Sequence, residues 1–281
     1  QMFQYAAGRA AALRRKANLY LDLHGLLDRR PRLSFTFRDY GLNAFRIDQK
    51  FASFERVECS RFYSLTKLLS GLGLPIPRGY AHLSESLPSR FQDEVVNGHG
   101  SILLDGLWQS YLYFQDFERI IREDFELWCA PVGEARDICN ELASLESVCL
   151  HVRRTDFVGN PVMGGISSDY YNDALSLVGQ RYGCVPVYVF SDDLDWCRST
   201  ICHDAPLRFL SIKDALGSIH WYQYMMQCCK HFVLPNSTFS WWAAFLCSRP
   251  GKSVIAPRRW FRGPDCEKYS GYVCPHDWQL I

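Results

Sequence analysis

The sequence predicts an α/β fold in two lobes, the second built on a parallel sheet with helices on both faces. Three observations carry that expectation. The chain has 281 residues, 48% of them hydrophobic, which suffices for one large core or two modest ones. Four short apolar runs rich in β-branched residues, at 147–152, 185–190, 231–234 and 253–256, are separated by segments of helical spacing. Strands that alternate with helices form parallel sheets. No apolar run reaches the ~18 residues that a membrane span requires. The expected lobes are 1–145 and 146–281.

Residues 1–16 are helix formers, and Asn18-Leu-Tyr-Leu-Asp22 alternates as a short strand. A helix feeding a strand at the outset implies a strand before it, so a segment preceding Gln1 is expected. Residues 30–100 are mixed, with turn residues over Gly71–Gly79, and their pattern sets no element order. Apolar positions 114, 117, 120, 121 and 125 predict a helix over 114–128, and a second is expected over 134–145.

Basic and acidic residues nearly balance at 31 and 30, leaving a net charge of +1. That balance argues against a nucleic-acid groove or an electrostatic membrane patch. The twelve cysteines form no CxxC pair and no Cys/His ligand array. Most are expected to be buried free thiols, which favours a reducing compartment, with Cys266 and Cys274 as exceptions. The expected location is cytoplasmic, at most peripheral to a membrane, or a Golgi lumen if an anchor has been removed.

In a parallel sheet, ligands bind beyond the carboxyl ends of the strands. The first run ends in His151-Val-Arg-Arg-Thr-Asp156, and the period of two puts His151 and Arg153 on one face. Two guanidiniums at a strand end suit a pyrophosphate, since Arg offers fixed bidentate donors. The competing reading is an ion pair with Asp156, although one Asp cannot serve both arginines. The second run ends in Ser191-Asp-Asp193, an ordinary helix cap that also suits ribose hydroxyls. No metal is expected there, because the arginines already supply positive charge. The third turns through Pro235-Asn-Ser-Thr-Phe-Ser240 into Trp241, a hydroxyl-rich helix N-terminus suited to an anion. Asn236-Ser-Thr238 also matches an N-glycosylation sequon, discounted because the turn leaves a buried strand. Neither GxGxxG nor a Walker motif is present.

These segments resemble the α-1,2-fucosyltransferases of glycosyltransferase family 11. The match is carried by Gln1-Met-Phe-Gln-Tyr-Ala6, His151–Asp156, Phe190-Ser-Asp-Asp-Leu-Asp-Trp-Cys197 and Cys229–Ala244, with Gly106-Leu-Trp-Gln-Ser-Tyr-Leu-Tyr-Phe114 resembling the acceptor-side segment. The resemblance implies a GT-B architecture of two Rossmann-like lobes, with the donor held by the C-terminal lobe and the inter-lobe cleft. It also implies inverting transfer of L-fucose from GDP-β-L-fucose to O2 of a galactoside, with no metal and no cofactor. By that likeness Arg153 holds the β-phosphate and Arg154 supports it. Asp156, the carboxylate nearest to them in sequence, is counted with the catalytic set as base or as partner of an arginine. Gln1, His151, Ser191, Asp192, Asn236, Ser237, Thr238, Phe239 and Ser240 then line the donor, while Trp108, Gln109 and Tyr113 meet the acceptor glycan.

Two positions depart from the family. Thr155 stands where members commonly have Gly, which makes the stretch similar also to the α-1,6-fucosyltransferase motif. Trp221-Tyr222 stand where an acidic residue usually reads guanine. The alternatives are a fucosyltransferase of another linkage, another GDP-sugar transferase, or a glycan-binding relative without activity.

Overall fold

The computed structural model describes residues 1–30, 38–53, 81–85, 90–160, 162–263 and 271–281. The Gly71–Gly79 turn and two of the cysteines, Cys59 and Cys266, lie outside them. The chain forms two compact units, Gln1–Trp128 and Cys129–Ile281. The boundary expected at 145/146 therefore falls at 128/129. The reason is the helix Gly133–Ser144, whose buried Ala135, Ile138, Cys139 and Leu142 pack in the second unit against the helix Ile219–Cys228.

The first unit is organised by helix α1 (Met2–Arg15). Its small residues Ala6, Ala7, Ala10 and Ala11 are buried beside Phe3 and Tyr5, and small side chains let neighbouring segments approach its backbone closely. Tyr5 and Arg9 both bond Asp124. The short helix α2 (His24–Leu27) follows. Strands β1 (Ala81–Ser84) and β2 (Ile102–Asp105) pair in parallel and flank helix α3 (Asp93–Asn97). Two local expectations change. Asn18–Asp22 contributes only the bridge Leu21 to Phe51, and the helix expected over 114–128 is a 3-10 turn at Gln115–Phe117 followed by helix α4 (Glu118–Asp124). Leu127 and Trp128 leave the helix to pair with Phe45 and Ala44.

The second unit follows the sequence closely. Helix α5 (Gly133–Ser144) leads into strand β3 (Val148–Val152), then helix α6 (Ser168–Tyr182), strand β4 (Val187–Ser191), helix α7 (Leu194–Thr200) and strand β5 (Leu207–Leu210). Helix α8 (Ile219–Cys228), strand β6 (His231–Val233), helix α9 (Thr238–Leu246), strand β7 (Val254–Ala256) and strand β8 (Gln279–Leu280) complete it. All six strands are parallel, in the order β5-β4-β3-β6-β7-β8. The chain runs outward from β3 to β5, then returns to the other side of β3 with β6. That reversal is the topological switch point of a doubly wound sheet.

Strand alternation sorts the two faces. Val148, Leu150 and Val152 join Tyr171, Leu175, Val178 and Cys197 in the core under α6 and α7. His151 points the other way, to Ser240 on α9. Strands β5 and β8 had no clear sequence signal, because both lie at sheet edges and are only half-buried. All ten described cysteines are free. Cys129, Cys184 and Cys202 are exposed, whereas Cys274, an expected exception, is buried and free.

Candidate active site

The switch point brings together the segments that follow β3, β6 and β7. At its centre His151 is buried, and its Nδ1 lies 2.7 Å from Ser240 Oγ. Burial, with a smaller push from the charge of Arg153 and against the opposing charge of Asp192, holds the imidazole down to about 3. His151 is therefore a neutral side chain that ties β3 to α9.

Helix α9 begins at this edge without a side-chain cap. Trp241 is its first residue whose N–H reaches a helical carbonyl, that of Ser237. The N–H groups of Thr238, Phe239 and Ser240 have no carbonyl behind them in the helix, which leaves partial positive charge at the edge. Ser237 is buried, and Thr238 and Phe239 are half-buried. Phe239 packs against the rings of His151 and Tyr222, and Gln223 holds its carbonyl at 2.8 Å.

The two arginines are paired more completely than sequence reasoning allowed. Arg153 Nε donates to Asp156 at 2.7 Å and lies 3.3 Å from Asp192. Arg154 Nε donates to Asp193 at 3.2 Å, and its guanidinium sits 4.0 Å over the ring of Trp196. Asp156 need not serve both arginines, because the end of β4 delivers two more carboxylates. Two guanidiniums face three carboxylates, so the cluster has no surplus of positive charge. Both arginines engage only Nε in side-chain hydrogen bonds among the described residues; they differ in packing, since the Arg154 guanidinium lies 4.0 Å from the Trp196 ring centre and that of Arg153 lies 5.8 Å from Phe157.

Asp192 accepts from the N–H groups of Arg154 at 2.9 Å and Thr155 at 3.1 Å, and from the Thr155 hydroxyl. Its carboxylate shapes the turn after β3 instead of facing outward to a nucleotide. The Thr that replaces the family's Gly thus has a local role, as a donor to Asp192. Asp193 caps α7 at the N–H of Trp196, and Ser191 uses its hydroxyl on the N–H of Asp193. Asn236, expected to line the donor, is buried and internal. Its amide donates to the carbonyls of Met163 at 2.8 Å, Trp260 at 3.0 Å and Gly164 at 3.4 Å.

The expected acceptor residues are also core side chains. Trp108 and Tyr113 are buried and pack edge to face at 5.6 Å. Tyr113 further stacks on Phe91 and bonds the backbone of Gln92 and Arg90. Neither ring offers a face to a sugar, and the half-buried Gln109 lies between them in sequence. Gln1 uses its side-chain amide on Asp39 O and Gly41 N. Sequence reasoning missed Trp196 as the platform for Arg154, and Tyr222, whose hydroxyl joins Ser191 N to Leu210 O. An Arg followed by a distant Trp carries no sequence signal, since the contact exists only across two strands.

A concavity of about 880 Å³ in the second unit is lined by Gln180, Cys184, His203 and Asp204. It lies at the opposite, amino ends of β4 and β5. The ring nitrogens of His203 are used there on Leu175 O and Ala205 N, so the wall presents no free imidazole.

The fold is that of a doubly wound α/β protein, a class whose ligands bind beyond the carboxyl ends of the strands. The model of glycosyl transferase family 11 matches residues 77–272. The chain belongs to that family and is a glycosyltransferase.

Among its relatives, an alpha-1,2-colitosyltransferase of Escherichia coli is 28% identical over all of this chain and 94% of its own length. The O-antigen biosynthesis glycosyltransferase WbnK of Escherichia coli is 30% identical over 95% of this chain and 93% of its own. A galactoside 2-alpha-L-fucosyltransferase of Mus musculus is 28% identical over 65% of this chain and 51% of its own. Among the described residues, no helix is long and apolar enough to cross a membrane.

Proposed function

We propose that the chain transfers L-fucose from GDP-β-L-fucose to O2 of a terminal galactoside, with inversion at the sugar and without a metal or cofactor. The observation that carries this reading is the meeting, at one switch point, of His151, the open fork of Arg153 and the uncapped start of α9. Such an edge receives a pyrophosphate. The α-1,2 linkage draws support from relatives named for α-1,2-colitosyl and galactoside 2-fucosyl transfer.

In the reaction the bond from the sugar C1 to the β-phosphate oxygen breaks while the acceptor oxygen attacks the opposite face. Positive charge grows on the sugar and negative charge on the departing GDP. Anion stabilisation and placement are therefore the main demands. The terminal nitrogens of Arg153 and the N–H groups of Thr238 and Phe239 meet the first demand. Asp156 acts through Arg153, whose Nε it fixes. Metal independence is supported by the carboxylates of Asp192 and Asp193, which are already engaged by Arg154, Thr155 and Trp196.

GDP should raise the melting temperature and UDP should not. Saturation at ~100 times Kd corresponds to about 2.7 kcal/mol. Equal shifts with both nucleotides would sink the guanine assignment. Transfer assays with galactosides and linkage analysis of the product then test the acceptor. A second reading is favoured by the colitosyltransferase that spans this whole chain. Colitose is fucose without its 3-hydroxyl, and a GDP-colitose donor used faster than GDP-fucose would establish that reading instead.

The same assay tests the metal. A chelator is expected to leave most activity intact, while complete loss that Mg²⁺ or Mn²⁺ restores would show that Asp192 and Asp193 ligate an ion in the working enzyme.

A further inference from the structure

The strand-end cluster of Arg153, Arg154, Asp156, Asp192 and Asp193 carries no net positive charge, and the segment after β7 holds a further arginine. Arg153 and Arg154 face Asp156, Asp192 and Asp193. Arg262, by contrast, has no acidic partner and no side-chain hydrogen bond among the described residues, and it is exposed. Its backbone N–H donates to Val162 O at 2.7 Å, which ties the segment after β7 to the segment after β3. Gly164 then makes the seat for its side chain. A Cβ at Gly164 would lie 2.0 Å from Arg262 Nε and 2.6 Å from Cζ. The glycine also has φ +65, a conformation that other residues adopt at a cost. Asn236 braces both segments, holding Met163 O and Trp260 O from the residue that immediately precedes Ser237 and α9. The guanidinium thus lies against Gly164, whose carbonyl Asn236 holds at 3.4 Å from the turn that enters α9.

We infer that Arg262 supplies the uncompensated positive charge of the donor site and contacts the terminal phosphate of the nucleoside diphosphate. This deepens the proposed function and rests on its reading of the switch point as the sugar-nucleotide site. The β-phosphate gains charge as the sugar leaves, and a planar fork with no carboxylate partner among the described residues is the group that binds it most directly. Arg153 then shares the phosphate from the β3 side, with its Nε held back by Asp156.

The test is calorimetric binding of GDP and GMP to the wild-type chain and to Arg262→Ala, Arg262→Lys and Gly164→Ala, at one salt concentration. Arg262→Ala should weaken GDP by roughly tenfold to a hundredfold, the strength of one charge-assisted pair. GMP affinity and melting temperature should stay near wild-type values, because GMP lacks the phosphate in question and Arg262 is exposed. Arg262→Lys should recover part of the loss. Gly164→Ala, which displaces the guanidinium without changing charge, should lower the GDP to GMP preference in the same direction. Unchanged GDP affinity in Arg262→Ala, or an equal loss for GDP and GMP, overturns the role of Arg262 while leaving the sugar-nucleotide reading in place. A wild-type chain that binds neither nucleotide overturns that reading itself.

Discussion

Arg153→Lys should keep the fold and lose transfer activity by about a hundredfold or more, the scale of removing one preorganised anion donor. Its Nε is held by Asp156 and Asp192, and the two terminal nitrogens are the donors left for a phosphate. Lys has a single ammonium, and those same carboxylates would claim it. The variant therefore retains the ion pair and gives up the fork. Arg154→Lys should show the opposite profile. Arg154 stacks on Trp196 and bonds Asp193, so its replacement loses packing and a geometric match worth roughly 1–2 kcal/mol of stability. Its GDP affinity should change less. Transfer rate, GDP affinity and melting temperature for both variants decide the matter. A fully active Arg153→Lys enzyme would leave the phosphate role without support, and Arg154 as the more sensitive residue would assign the fork to the wrong arginine.

Asn236→Asp should be the most damaging single-atom exchange in the second unit. The Asn236 amide nitrogen donates to three backbone carbonyls, those of Met163, Gly164 and Trp260, in a buried position. Replacing that nitrogen by a carboxylate oxygen removes the donors and sets negative charge against carbonyl dipoles. Orphaned buried acceptors cost ~1–3 kcal/mol each, and an uncompensated buried charge costs more. A loss of at least about 3 kcal/mol is expected at neutral pH. Asn236→Ala should lose less, since it leaves the carbonyls unpaired but brings no charge. Urea unfolding of both variants measures the order. Near wild-type stability for Asn236→Asp would mean that the brace does not hold the segments after β3 and β7 together.

The outline of the second unit was legible because short β-branched runs separated by helical periodicity have few compact solutions. Val148, Leu150 and Val152 alternate with His151 in the sequence, and the folded sheet keeps that alternation as two faces. Family membership was legible as well, in His151–Asp156 and Cys229–Ala244, both inside residues 77–272 that the family model matches. The first unit was less readable. Its alanine helix α1 is evident, but Trp108 and Tyr113 have the composition of a sugar platform and the environment of a core. An aromatic side chain reads the same in either place until its neighbours are known.

Local sequence by itself determined which residues reach the carboxyl edge of the sheet: a two-residue period and a hydroxyl-rich turn fix the placement of His151, Arg153 and Ser237. Tertiary structure alone decided what each of them does there. Asp192 and Asp193 lie about forty residues beyond the arginines, at the end of β4, and only the parallel pairing of β3 with β4 turns them into partners of Arg153 and Arg154. Arg262 is over a hundred residues from Arg153 and carries no motif, yet it lies against Gly164, whose carbonyl Asn236 holds. Charge compensation depends on separation in space, because the attraction weakens as that distance grows, and separation along the chain says nothing about it once strands from distant segments become neighbours.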